Sequence, residues 1–304
     1  MTQADHNATW LAVDWGTTHL RAWAMGAGKT VIARRDSDRG MSRLTQDQFA
    51  PTLANLIGDL FAQDAPIPTF ICGMAGAKQG WAEAPYAAVP CIPNDVKSAT
   101  AFHTDRFQVH ILSGVKQNSP ADVMRGEETQ IAGFLAQEPD FDGVICLPGT
   151  HSKWAHISAG EIVSFRTFMT GELFALLSQN SVLRHSIGTD WDQESFVSGL
   201  NDTLSRPSDL AAKLFGLRAE SLLDDLPPAA ARARLSALLI GAELAAAKPY
   251  WLEQNIVIIG ASSLAAIYET ALISQGVAAR SVDAETMTLA GLIAAYLAQE
   301  RAAT

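Results

Sequence analysis

The residues of this 304-residue chain best suited to chemistry gather at three small-residue turns, each closing an apolar run. In the first, Trp10-Leu-Ala-Val-Asp14 passes through Trp15 into Gly16, Thr17 and Thr18, and Leu20-Arg21-Ala-Trp23 begins at once. That order brings a carboxylate, backbone amides and two hydroxyls to one sharp corner. A strand-end acid beside such a turn suits a magnesium-bound polyphosphate, because oxygen ligands hold the hard cation and amides meet phosphate oxygens. Asp14 is therefore the metal candidate, with Gly16, Thr17 and Thr18 as phosphate ligands. The second turn is Pro148-Gly149-Thr150-His151-Ser152, after Gly143-Val-Ile-Cys-Leu147. The third is Gly260-Ala261-Ser-Ser263, after Ile256-Val-Ile-Ile259. A plain hairpin with a polar tip explains any one of them alone; their order along the chain is the informative part.

The elements that must position these turns alternate in type. Both early turns sit between two strand-like runs, and the repeat near half the chain length predicts two related domains, 1–140 and 141–304. The polar Gln137-Glu-Pro-Asp-Phe-Asp-Gly143 stretch forms the boundary. Thr45-Gln-Asp-Gln48 has the spacing of a capping box, with Phe49, Leu53, Leu56, Ile57, Leu60 and Phe61 on one helical face beyond it. Strands are expected at Thr69–Cys72, Val109–Leu112 and Ile256–Ile259. Helices are expected at Glu127–Ala136, Leu235–Ala247 and after Ser263. A final amphipathic helix, 286–300, is expected to pack back on the first domain. This alternation predicts an α/β protein with mixed sheets flanked by helices.

Gly26-Ala-Gly28-Lys29-Thr30 has the ending of a Walker A loop, but Trp23 stands where the first glycine is required. Strand-like Val31-Ile-Ala follows where that loop needs a helix, so the segment reads as a hairpin turn.

Composition narrows the class. At 48% hydrophobic and 18% charged the chain is globular, and its net charge of −10 without a basic run excludes a nucleic-acid surface. Cys72, Cys91 and Cys146 are far apart, and those in apolar runs read as buried thiols. With no apolar run long enough to span a bilayer and no signal core at the N-terminus, a cytoplasmic protein without membrane partners is expected.

Met124-Arg125-Gly126-Glu127-Glu128-Thr129-Gln130 sets two acids at a helix mouth, a position that ordinary helix-start decoration also favours. Taken with the three turns, it resembles the actin-like ATPase superfamily of sugar kinases, actin and heat-shock chaperones. There, two hairpins face each other across a cleft around the phosphates, the third turn supports the nucleoside, and an acid accepts the proton of the attacking hydroxyl. The whole chain is more similar to the 2-dehydro-3-deoxygalactonokinases. That resemblance rests on Ala12-Val-Asp-Trp-Gly-Thr-Thr18 with Leu20-Arg-Ala-Trp23, and on Cys72-Gly-Met-Ala-Gly76 with Gly80-Trp81 and Pro85-Tyr86. It continues through Arg125-Gly-Glu-Glu-Thr-Gln130, Leu147-Pro-Gly-Thr-His-Ser-Lys-Trp154, Phe168-Met-Thr-Gly-Glu-Leu-Phe174 and Ile259-Gly-Ala-Ser262. It departs from the superfamily at Leu147-Pro148, where the second hairpin often carries an Asp, leaving Asp14 with most of the magnesium-linked work.

The resemblance implies two actin-like (ribonuclease H-like) domains and ATP-dependent phosphorylation of the terminal hydroxyl of 2-dehydro-3-deoxy-D-galactonate, with Mg²⁺. In it Gly16, Thr17, Thr18, Gly149 and Thr150 hold phosphate, and Gly260 and Ala261 leave room for the nucleoside. Glu127 or Glu128 is the base; adjacent helical residues point about 100° apart, so only one faces the cleft. The substrate carboxylate needs a donor, and Arg suits it: Arg21, Arg125 and Arg166 are the candidates. Lys78 and Trp81 lie in a glycine-rich loop that could cover the sugar acid. The implied partner is a small sugar acid, with a homodimer left open. The Gly-Glu-Glu helix start also resembles exopolyphosphatases of the same fold, which keeps a phosphatase as the alternative, and a non-catalytic actin-like switch as a third reading.

Overall fold

In the computed structural model, which describes residues 8–27, 29–58, 60–61 and 65–303, the chain forms two compact units. One holds the described residues up to Phe141 with Ser158–Ser164 and the segment from Ala284; the other holds Asp142–Ile157 and Phe165–Asp283.

The first unit contains β1 (Trp10–Trp15), β2 (Leu20–Met25), β3 (Val31–Ser37), α1 (Phe49–Ile57), β4 (Ile67–Gly73), β5 (Tyr86–Ala88) and β6 (Thr100–His103). It continues with β7 (Phe107–Ile111), β8 (Gly114–Asn118), β9 (Ala121–Met124) and α2 (Glu127–Leu135). The chain then forms β10 (Gly143–Leu147), β11 (Ser152–Ser158), β12 (Glu161–Phe168), α3 (Thr170–Asn180), α4 (Gln193–Ser205) and α5 (Leu210–Leu223). After these come α6 (Pro228–Ala246), α7 (Lys248–Trp251), β13 (Ile256–Gly260), α8 (Ser262–Ile273), β14 (Ala279–Asp283) and α9 (Ala284–Ala303).

The main sheet of the first unit has the order β3-β2-β1-β4-β7-β6, and that of the second has β12-β11-β10-β13-β14. In each, an antiparallel meander of three strands is followed by two strands parallel to its first, at β4 and β7 and again at β13 and β14. The ribonuclease H-like topology is thus built twice. Strand β6 adds an antiparallel edge to the first sheet, and β5, β8 and β9 form a small separate sheet.

β1 and β10 are the hubs of these sheets and read as near-continuous apolar runs because both of their faces are covered. On one face of the first sheet lies α1. Its entry is the expected capping box, in which Thr45 and Gln48 satisfy each other's backbone amides, and Phe49, Leu53 and Ile57 are buried. On the other face α9 sets Leu292, Ala295 and Tyr296 against Trp10, Trp23 and Phe70, with Tyr296 stacked on Trp10 at 4.2 Å. In the second unit α6 is buried along most of its length. Small alanines let it lie close to its neighbours, and Pro228 occupies its first turn.

The Gly26–Thr30 segment links β2 to β3, and the Gly26 amide donates to the Thr30 carbonyl at 2.8 Å; Gly28 lies outside the described residues. Cys72 and Cys146 are buried free thiols and Cys91 is half-buried. Among the described residues no helix is long and apolar enough to cross a membrane.

Candidate active site

In the first unit, β1 and β4 run parallel with Asp14 opposite Cys72 and Trp15 opposite Gly73. The acid therefore stands at the carboxyl end of central strands, where open α/β sheets place ligands. Gly73 turns the chain beneath it with φ +85°, and a Cβ there would meet the Trp15 carbonyl oxygen at 2.7 Å. Trp15 points the other way, into the core, with its ring 4.7 Å from that of Phe49 at a tilt of 48° and its indole N–H donating to the Arg39 carbonyl. The Asp14 side chain is 14% exposed, and its Oδ2 accepts from Arg21 Nη2 at 2.5 Å. Burial pushes its carboxyl above the ordinary Asp range, while the Arg21 guanidinium pulls it back. Arg21 also reaches Glu285, at the start of α9, at 3.3 Å.

The turn after Asp14 is held from behind. The carbonyls of Gly16, Thr17 and Thr18 accept from the amides of Met41, Ser42 and Gly40 at 3.0, 3.0 and 3.2 Å. Thr17 and Thr18 are exposed, and their amides donate to no acceptor among the described residues. With its carbonyls tied back, the corner presents N–H and O–H groups outward, the polarity an anion requires.

Glu127 and Glu128 form the first turn of α2 and cap it. Glu127 Oε2 accepts from the Arg125 amide at 3.1 Å and Glu128 Oε2 from the Gly126 amide at 2.7 Å. Their surroundings differ. Glu128 is fully buried, with Oε1 3.0 Å from the Thr129 hydroxyl. Burial, reinforced by neighbouring Glu127, pushes its carboxyl up to about 7. Glu127 is half-buried and close enough to Asp14 for its charge to raise that acid.

No cluster of three metal-ligating side chains occurs among the described residues. One carboxylate fits a Mg²⁺ ion carried largely by phosphate and water. Glu285 gives the Arg21 guanidinium a second carboxylate partner beside Asp14.

The second unit repeats the corner. The Thr150 carbonyl accepts from the Glu172 amide at 2.9 Å, and the His151 carbonyl from Lys153 Nζ at 3.1 Å. Thr150 is exposed and its amide has no acceptor among the described residues. Gly171, in the first turn of α3, backs the turn so closely that a Cβ there would lie 2.3 Å from the Gly149 carbonyl oxygen. His151 is a hydrogen-bonding hairpin residue, with Nε2 2.6 Å from Glu172.

Beside this corner opens a pocket of about 450 Å³ reached by Gly149, Thr150, Gly171, Phe174, Trp191 and Ser263. Arg232, over the Phe174 ring at 5.2 Å, also lines it, with Leu239, Ile240 and Ile267. An aromatic and aliphatic slot with polar groups at one end suits a planar base and its ribose. The third turn sits differently from expectation. The Gly260 α-carbon is covered by the Pro148 ring, and the pocket is walled by Ser263, Leu264 and Tyr268 of α8 rather than by Gly260 and Ala261.

Among the carboxylate candidates the structure separates free cations from committed ones. Arg21 is held between Asp14 and Glu285. Arg125 donates to the Ala84 carbonyl at 2.7 Å and lies 4.3 Å over the Tyr86 ring, so its guanidinium pins the loop before β5. Trp81 is corrected outright. Its indole is in the core against Trp15, Phe49, Phe102 and Phe107, because a ring that size gains more from burial than from covering a polar ligand. Lys78 and Arg166 are exposed, without a partner among the described residues.

The profile of the 2-keto-3-deoxy-galactonokinase family matches residues 14–295. The chain belongs to this family. It is 39% identical to a probable 2-dehydro-3-deoxygalactonokinase of Rhizobium meliloti (strain 1021), over 97% of this chain and 98% of that one. It is 34% identical to the 2-dehydro-3-deoxygalactonokinase of Escherichia coli (strain K12), over 94% and 96%. A crystal structure of a putative 2-dehydro-3-deoxygalactonokinase protein from Sinorhizobium meliloti superposes with a TM-score of 0.90 at 37% identity, covering 95% of this chain and 99% of that one. The activator of 2-hydroxyisocaproyl-CoA dehydratase from Clostridium difficile, solved with bound ADPNP, shares the fold alone, with a TM-score of 0.51 at 12% identity and 96% coverage of each chain. This kinase-family chain therefore carries the doubled actin-like fold.

Sequence reasoning missed Glu285, Trp191, Phe174 and Arg232. The first is separated from Arg21 by most of the chain, and Trp191 and Arg232 lie on segments without a motif. Only the Phe168–Phe174 block carried a signal.

Proposed function

We propose that this protein transfers the γ-phosphoryl group of ATP to the terminal hydroxyl of 2-dehydro-3-deoxy-D-galactonate. The observation that carries the reading is the family match across nearly the whole chain. The relatives' names supply the substrate, and the corner of each unit supplies chemistry suited to it.

Phosphoryl transfer needs positioning and charge stabilisation more than covalent chemistry. The outward amides and hydroxyls of Thr17 and Thr18, with those of Thr150, take the phosphate oxygens, while Gly16 and Gly149, whose own amides turn inward to His19 and Ser152, leave room for phosphate to approach each turn. The pocket of Phe174, Trp191 and Ile267 takes the nucleoside. Asp14 would hold Mg²⁺, which would offset phosphate charge. Glu127 is the base that accepts the proton of the substrate hydroxyl, since Glu128 is fully buried and cannot touch substrate where it stands. Lys78 and Arg166 are the exposed cations available to the sugar-acid carboxylate. Arg21 and Arg125 position other groups. A cytoplasmic location goes with this reading, because ATP is supplied there.

The test is ATP turnover by the purified protein, alone and with a panel of keto-deoxy sugar acids that includes the gluconate-derived epimer. Turnover that requires the galactonate-derived acid supports the reading. Phosphate release at one rate whatever acid is added identifies a phosphatase instead.

A further inference from the structure

Glu243 is the one charged residue on the buried face of α6, among alanine, leucine and isoleucine with Ser236 and Gly241. It is 2% exposed, and among the described residues no Lys or Arg pairs with it. A carboxylate taken out of water without a counter-ion is tolerated only when donors satisfy both oxygens. Here Oε1 accepts from the Trp154 indole N–H at 2.8 Å. Oε2 accepts from the Tyr268 hydroxyl at 2.8 Å and from the Thr170 hydroxyl. Because Tyr268 spends its only proton on Glu243, the Ser152 hydroxyl 2.8 Å away must donate to Tyr268. The Ser152 oxygen then faces the Gly149 amide at 3.5 Å. Every proton in this chain is thus directed toward one buried carboxylate.

Its donors come from β11, from the first residue of α3 and from α8, and the last two line the nucleoside pocket through Thr170 and Tyr268. Gly171, next to Thr170, is the residue that backs the Gly149 carbonyl. We propose that Glu243 is a positioning residue of the nucleotide site: its carboxylate fixes the pocket wall and the Pro148–Ser152 corner to each other, so that base and phosphates are received in one geometry. This inference rests on the kinase reading above. The nucleotide itself does not touch Glu243, and the Tyr268 hydroxyl is buried away from the pocket by its own two hydrogen bonds.

Tyr268→Phe removes one oxygen and cuts the link between Glu243 and Ser152 while leaving the ring in place. Glu243→Gln keeps the shape but turns a donor toward Thr170 and Tyr268, which reverses the proton direction. Glu220→Gln is the control, since Glu220 pairs with Arg234 between α5 and α6, outside the pocket. Each protein is measured for melting temperature, for calorimetric binding of a nonhydrolysable ATP analogue with Mg²⁺, and for KM of each substrate. Both network variants are expected to weaken analogue binding five- to tenfold and raise KM for ATP, with KM for the sugar acid unchanged. The control, at equal or greater loss of melting temperature, binds as wild type. Network variants that lose thermal stability yet bind the analogue as wild type, or a control that weakens binding equally, overturn the proposal. Wild-type protein that binds no analogue counts against the kinase reading instead.

Discussion

Arg21 lies one hydrogen bond from Asp14, with Nη2 and Oδ2 2.5 Å apart, on adjacent antiparallel strands where the two residues are direct cross-strand partners. A residue that sequence alone offered to the substrate is instead the counter-ion of the metal candidate. Asp14→Ala should leave a folded protein, by circular dichroism, with turnover lower by several orders of magnitude, as expected when metal-assisted charge stabilisation is lost. Arg21→Gln should act through protonation. Arg21 lowers the pKa of Asp14 against the upward push of burial, so its removal moves the acid limb of the pH–rate profile to higher pH. An unmoved limb would separate Arg21 from Asp14's work.

The two acids of α2 should part company under mutation. Glu127→Gln is expected to lower kcat by about 10²- to 10⁴-fold, the usual worth of a general base, with KM values near wild type. Glu128→Gln should keep measurable turnover and change the pH dependence of stability.

Glu128 carries a folded-state pKa of about 7 against an ordinary 4.5. Between those values the native state holds a proton that the unfolded chain has released, so stability falls as pH rises through the window. The full effect is at most about 3 to 4 kcal/mol, from about 1.4 kcal/mol per unit. Melting curves from pH 4 to 8 should slope less steeply for Glu128→Gln than for wild type. Parallel slopes would mean that folding leaves the Glu128 pKa at its ordinary value.

Helices α2 and α9 cross at backbone contact. A Cβ on Gly133 would fall 1.9 Å from the Met287 carbonyl oxygen, and one on Gly291 2.0 Å from that of Thr129. Gly291→Ala should cost about 3 kcal/mol or more in urea unfolding, at the upper end of overpacking. It should also reduce kcat, because the same helix starts carry Glu127 and Glu285. A silent substitution would show that the helices are free to separate.

The nucleoside pocket makes a selective prediction. Trp191→Ala should raise KM for ATP about tenfold or more, given what aromatic contact with a base contributes, and leave KM for the sugar acid unchanged. Equal effects on both would move Trp191 out of the base site.

Much of this was legible in the sequence because it is local. Both hairpins are contiguous strand-turn-strand runs, and the capping box at Thr45–Gln48 is four residues long. Choosing between Glu127 and Glu128 needed the tertiary burial of one face of α2. Arg21 could not be assigned, since its second partner arrives from residue 285. Trp81 misled because a loop rich in glycine looks mobile in sequence, while its indole is the centre of an aromatic cluster. The pocket lay hidden because α3 to α6 show only helical periodicity, and Glu243 passes there for an ordinary surface acid.

The exposed threonines of the two corners are predicted to take phosphate, and calorimetry with a nonhydrolysable ATP analogue and Mg²⁺ tests this directly. Thr17→Glu and Thr150→Glu each set a carboxylate where phosphate oxygens are placed, at positions exposed enough to accept it. Each substitution alone is predicted to weaken binding at least tenfold without lowering the melting temperature. Wild-type affinity in either variant would contradict the assignment of that corner to the nucleotide.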